Sequence, residues 1–152
     1  MTMKRSSALF LALSCALSAS GLATAATAAT PAPRTPISAP ADTLQWQALA
    51  GGIRYANVRG NLTGNGPYEA FVEFPAGFDN PHHRHTQALP SVVLSGVFYA
   101  IFDDGKKVLY PAGSYYLLPA RLPHRSGCEL GANCLLFQYQ SDRFDLVPTA
   151  AK

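Results

Sequence analysis

The chain has 152 residues, 48% of them hydrophobic and 14% charged, and a formal net charge of +3. That length has room for one domain, and the composition fits a packed core rather than a disordered chain. Its basic residues form no run with interleaved aromatics, which argues against nucleic acid and anionic membrane surfaces as partners.

At the N-terminus, Lys4 and Arg5 precede an apolar stretch from about residue 8 to 17, and small residues with Ala-x-Ala spacing follow, such as Ala23 with Ala25 and Ala26 with Ala28. The pattern predicts a secretory signal peptide over residues 1–25. A membrane span is the rival reading, but Ser14, Ser18, Ser20 and Gly21 break the stretch short of the roughly 20 apolar residues that cross a bilayer. Cys15 raises lipidation, yet "ALSC" lacks the leucine that such a site uses three residues before its cysteine. Loss of the leader takes Lys4 and Arg5 with it and leaves ten Lys plus Arg against nine Asp plus Glu. The pI of about 8.9 therefore overstates any attraction to polyanions. The expected location is the periplasm or the exterior. Residues 26–43 carry Pro31, Pro33, Pro36 and Pro40 among Ala, Thr and Ser, a composition that reads as an extended tether. One folded domain is expected over residues 44–148.

From Ile53 onward, apolar residues recur in short runs separated by turn signals, with no stretch at helical period long enough for a major helix. "IRYANVRG", "YEAFVEFPA", "SVVLSGVFYAIF", "KKVLY", "SYYLLPA" and "CLLFQYQ" are rich in Val, Ile, Tyr, Phe and Leu and predict strands. Asp104-Gly105 predicts a hairpin turn, and Pro111-Ala112-Gly113 a turn with proline at its second position. So many short strands in about a hundred residues imply an all-β sandwich or jelly roll. Cys128 and Cys134 enclose "ELGAN". In an oxidising compartment they are expected to close a hairpin as a disulfide; the alternative is a pair of thiolate ligands.

The chain has four histidines, at positions 82, 83, 85 and 124. In an extended strand residues i and i+2 share a face, so His83 and His85 project together while His82 faces away, as a surface residue or a supporting one. Gln87 has the parity of His83 and His85 and is expected to approach or orient a bound ligand. His124 follows a strand that ends at Pro119, through a proline-bounded loop, and so is placed to add a third imidazole. Glu69 and Glu73 read as surface charge, and Tyr99, Tyr116, Tyr139, Gln138 and Gln140 as strand residues that either line a barrel or pack.

The spacing of Gly77, His83, His85 and Gly96, followed by Gly113, Pro119 and His124, resembles the two motifs of the cupin superfamily. Three positions depart from it: Leu89 or Pro90 stands where the first motif has glutamate, Arg121 where the second has glycine, and Cys128 where it has asparagine. The resemblance implies a cupin-type double-stranded β-helix, a jelly-roll barrel, with a metal held inside by His83, His85 and His124. Without the carboxylate, three neutral imidazoles leave the full charge of a divalent ion and at least one open position. Iron, zinc, copper and nickel all suit such a set. Two function classes follow: a metal-dependent enzyme acting on a small organic molecule, such as an oxidoreductase, or a non-catalytic cupin that binds or senses a small molecule. A metal-free structural barrel and a homodimer are further readings. The classes separate on whether the barrel interior is polar and open or plugged by residues such as Leu89 and Phe102.

Overall fold

The computed structural model describes residues 35–150, so the expected signal peptide and half of the expected tether lie outside the described residues. Residues 35–43 are almost wholly exposed and end in a single 3-10 turn at Ala41–Thr43, in keeping with the absence of any apolar periodicity there. Beyond them the chain is built from strands: β1 (Trp46–Ala48), β2 (Arg54–Gly60), β3 (Tyr68–Phe74), β4 (Asp79–Arg84), β5 (Leu89–Ser95), β6 (Val97–Phe102), β7 (Lys107–Pro111), β8 (Tyr115–Leu118), β9 (His124–Cys128), β10 (Cys134–Gln140) and β11 (Val147–Pro148). They form two antiparallel sheets, one of six strands in the order β1-β2-β3-β10-β5-β8 and one of five in the order β11-β4-β9-β6-β7. This is the jelly-roll arrangement of a cupin barrel.

Alternation along each strand decides which side chains enter the core. In β3, Tyr68, Ala70, Val72 and Phe74 are buried while Glu69, Phe71 and Glu73 lie between them at the outer face. The same period puts Leu136, Gln138 and Gln140 of β10 inward, and one side of the central strands thereby joins a common, largely apolar interior. On the outer face, Arg54 grips Glu73 through two hydrogen bonds of 2.9 and 3.0 Å, and Arg59 pairs with Glu69. Both glutamates are therefore the surface charges that their shared strand face suggested.

Three local expectations change. "SVVLSGVFYAIF" is not one strand: it divides at Gly96 into β5 and β6, which belong to opposite sheets. Gly96 has φ 73°, and a Cβ there would stand 2.7 Å from the Asn133 carbonyl oxygen and 2.9 Å from the Cys134 sulfur, so only glycine turns the corner so close to the disulfide. Cys128 and Cys134 are disulfide-bonded, but not across a hairpin. They end β9 and begin β10, which lie in different sheets, so the bond ties one sheet to the other. In the third case, Pro111 is the first residue of its turn, accepting a hydrogen bond from Ser114 N at 3.0 Å, with Gly113 at the position of positive φ. The Asp104-Gly105 turn joins β6 to β7 as expected, closed by Gly105 N donating to Phe102 O at 2.9 Å.

Candidate metal centre

His83 lies in β4 and His124 opens β9, and the two are partners in register on adjacent strands. His85 follows one residue beyond the end of β4, with burial still alternating through Arg84. The pleat therefore delivers all three rings to the interior, where each is at most 4% exposed. Ring centroids are 5.0 Å apart for His83 and His85, 4.3 Å for His83 and His124, and 5.4 Å for His85 and His124. One nitrogen from each lies within 4.8 Å of the others, and among the described residues no carboxylate or cysteine joins the group.

The hydrogen bonds set the tautomer. Each Nδ1 faces a backbone carbonyl: Pro81 O for His83 at 2.6 Å, Asp145 O for His85 at 2.5 Å and Leu122 O for His124 at 2.9 Å. A carbonyl only accepts, so each Nδ1 carries the proton and each Nε2 keeps a free lone pair. The Nε2 atoms of His83 and His124 are fully buried with no hydrogen-bond partner. Two orphaned acceptors aimed into one interior site are a deficit that a metal ion removes, since buried polar atoms are nearly always paired. Burial also holds the rings neutral. It pulls His83 and His124 down to about 4 against the opposing effect of their carbonyl bonds, and it lowers His85 in the same sense. Neutral imidazoles with free Nε2 lone pairs are what a divalent ion such as iron, zinc, copper or nickel binds, and His83, His85 and His124 could hold one.

Gln87 does not reach this group. Alternation ends at His85, because residues 86–87 form a bend outside any strand, and the strand parity on which the expectation rested no longer applies. The Gln87 side chain is exposed and donates to Asp142 Oδ2 at 3.1 Å. The bend has its own cause, since the Asp145 carboxylate accepts from Thr86 N at 2.7 Å and from the Thr86 hydroxyl. Burial pushes the Asp145 carboxyl up, but those hydrogen bonds outweigh it and hold the group below its usual range. Asp145 thus holds the His85 ring through its carbonyl and the residue after it through its carboxylate. Nothing in the local sequence announces this, as the residue is 60 positions away. Phe144 beside it packs its ring 5.4 Å from that of His85.

His82 points to the other side of β4, where its ring bridges Thr149 Oγ1 at 2.7 Å and Asp103 Oδ1 at 2.8 Å. Leu89, at the glutamate position, is 3% exposed and belongs to the apolar core. Arg121, at the glycine position, has φ 63°, and its N–H donates to His85 O at 2.7 Å. The backbone has kept the left-handed turn that the motif's glycine favours, and uses it to hold the loop before His124 against His85.

A cavity of about 390 Å³ opens beside the histidines, with His83 and His85 in its wall. The interior is therefore not plugged, yet it is not polar either. Leu89 is part of the wall, Phe102 is not, and most of the lining is Leu, Ile, Val and Phe. Tyr116 and Gln138 face the cavity, whereas Tyr139 is exposed, the Tyr99 hydroxyl donates to Asp79 at 2.8 Å, and the Gln140 amide donates to Ala88 O at 3.2 Å.

Residues 35–142 match the profile of the ChrR cupin-like domain. The fold is similar to that of an RmlC-like cupin from Shewanella frigidimarina, at 19% identity over 72% of this chain and 94% of that one, with a TM-score of 0.57. It is similar to the polyketide cyclase RemF from Streptomyces resistomycificus, at 14% identity over 73% of this chain and 83% of that one, with a TM-score of 0.60. It is also similar to a chain of the Rhodobacter sphaeroides complex of SigE with the anti-sigma ChrR, at 23% identity over 66% of this chain and 51% of that one, with a TM-score of 0.53. At these identities the likenesses establish the fold alone. No curated protein matches the sequence.

Proposed function

From a chain that belongs to the family of ChrR cupin-like domains, we propose a metalloprotein in which His83, His85 and His124 hold one divalent transition metal beside a small-molecule cavity. The observation that carries this reading is the pair of buried, unpartnered Nε2 atoms on His83 and His124, in rings whose Nδ1 atoms are already committed. Bound there, the ion would supply a Lewis-acidic centre with positions open to water, oxygen or a chelating molecule. The chain's own residues do the rest: the carbonyls of Pro81, Leu122 and Asp145 orient the rings, Asp145 and Arg121 N fix the backbone at His85, and the apolar wall excludes water.

Turnover of a small molecule, as a metal-dependent oxidoreductase or related enzyme, is the first form of this function. A second form, binding or sensing without turnover, has its own support: among the described residues lining the cavity there is no Asp, Glu, Lys, Arg or Cys to act as acid, base or nucleophile. Export to the periplasm or exterior belongs to the same proposal, supported by the leader pattern and by a disulfide suited to an oxidising compartment.

Elemental analysis of untagged protein tests the reading. About one equivalent of transition metal per chain is expected, and the His83→Ala, His85→Ala double variant should hold none while keeping its strand content. Metal retained at full occupancy in that variant would sink the assignment.

A further inference from the structure

The cavity wall is not uniform. On the six-stranded sheet, Gln138 of β10 stands in register with Ser91 of β5, and Ser91 with Tyr116 of β8. The three side chains are at most 5% exposed and make one polar rung across the inner face of the sheet. Ser91 and Gln138 both lie within hydrogen-bonding reach of the Tyr116 hydroxyl, and Gln138 and Tyr116 line the cavity. Burial raises the Tyr116 hydroxyl, so it remains a neutral hydrogen-bonding group at physiological pH. His83 and His124 lie on the five-stranded sheet, with His85 just past β4 and Asn80 and Ser126 of the same sheet also in the cavity wall, so polar groups face the cavity from both sheets. A series of rings in the cavity wall continues from the rung: Phe98 stacked on Tyr116 at 5.5 Å, Phe74 with its centroid 5.2 Å from that of Phe98, and Phe78 at 5.9 Å from Phe74.

This pattern restricts the ligand. An ionised group placed at the rung would lose its hydration and meet no opposite charge, which is strongly unfavourable. A saturated, many-hydroxyl molecule would leave most of its polar atoms unpaired against the rings. A flat apolar molecule instead satisfies the walls, because aromatic rings pack favourably edge-to-face or offset. The volume of about 390 Å³ lies at the small end of ligand pockets and suits one or two rings. We propose that the cavity selects a one- or two-ring aromatic molecule bearing an oxygen function at the histidine end and an uncharged hydrogen-bonding group at the Tyr116–Gln138 rung. The inference rests on the reading of this cavity as a small-molecule site, and the ion at the histidines is counted separately.

Three probes of one skeleton test it on the full-length protein by calorimetric titration: 2,6-dihydroxynaphthalene, 2-naphthol and naphthalene-2,6-disulfonate, a sulfonate that must place a charge at the rung in either orientation. The diol should bind about tenfold more tightly than 2-naphthol, and the sulfonate more weakly than either. The Tyr116→Phe, Gln138→Leu double variant should erase the diol's advantage and leave 2-naphthol within about twofold. If circular dichroism shows that the double variant has lost its fold, Tyr116→Phe alone, which keeps the ring, should reduce the advantage severalfold. Sulfonate binding as tight as the diol's, an undiminished advantage in a folded variant, or no binding of any probe to metal-replete protein would overturn the inference. Metal content is read on the same samples by elemental analysis. Protein without metal that still ranks the probes in this order would refute the metal centre and leave the ligand class standing.

Discussion

Arg121 shows how a residue can depart from a motif while the backbone keeps to it. A left-handed conformation brings Cβ against the backbone and costs a residue other than glycine about 1 kcal/mol or more, and Arg121 sits there with φ 63° and its side chain exposed. Replacing it with glycine removes that strain at the smaller loss of a more flexible unfolded chain. Arg121→Gly should therefore stabilise the protein by about 0.5–1 kcal/mol, read as a higher urea midpoint at unchanged slope. A lower midpoint would mean that the arginine side chain contributes more than its backbone loses. The histidines set a pH dependence at the same scale. In the folded, metal-free protein, His83 and His124 are pulled down to about 4 from an ordinary 6.5. The unfolded chain thus binds more protons between those values, so their contribution is complete above about 6.5, falls as pH drops towards 4 and levels off below it. Denaturation of metal-free protein at a series of pH values should trace that decline. A stability flat from pH 7 to 4.5 would show that the rings are not desolvated as the geometry requires.

The informative elements are those where a strand changes sheet. Gly96 makes the change between β5 and β6 in one residue, with φ 73° and the 128–134 disulfide directly behind it. Gly96→Ala combines an unfavourable φ with an overpacked contact, and a loss of about 2 kcal/mol or more is expected in chemical denaturation. The alanine protein unfolding at the parent midpoint would show that the corner relaxes freely. β4 and β9 make the matching point for the site. Their pairing is irregular between Asn80 and His83, which accommodates Pro81, and it resumes with His83 opposite His124. The parity that places His83 and His85 on one side was readable from the strand. Its limit was not, because the bend at residues 86–87 is imposed by Asp145, a residue brought in by the far end of the chain.

At the scale of the whole molecule, the 128–134 disulfide joins two sheets that otherwise meet only through packing and connecting loops. Even for a short enclosed loop the bond should contribute about 2 kcal/mol. Reductant should lower the unfolding midpoint accordingly, whereas protein purified from an oxidising compartment that titrates two free thiols in denaturant would contradict the bond. The sequence by itself determined the all-β class, because period-two alternation between turn residues is a local property of each strand. It also determined the histidine trio, because two spaced motifs carry those positions in linear order. Only the tertiary structure decided that Gln87 turns to the surface, that Asp145 and Phe144 brace His85, that Arg121 holds a glycine's conformation, and that Gln138, Ser91 and Tyr116 align into one rung. Each of these depends on which strands become neighbours across tens of residues. Neighbour choice is settled by packing two apolar faces together, not by the order of residues along either one.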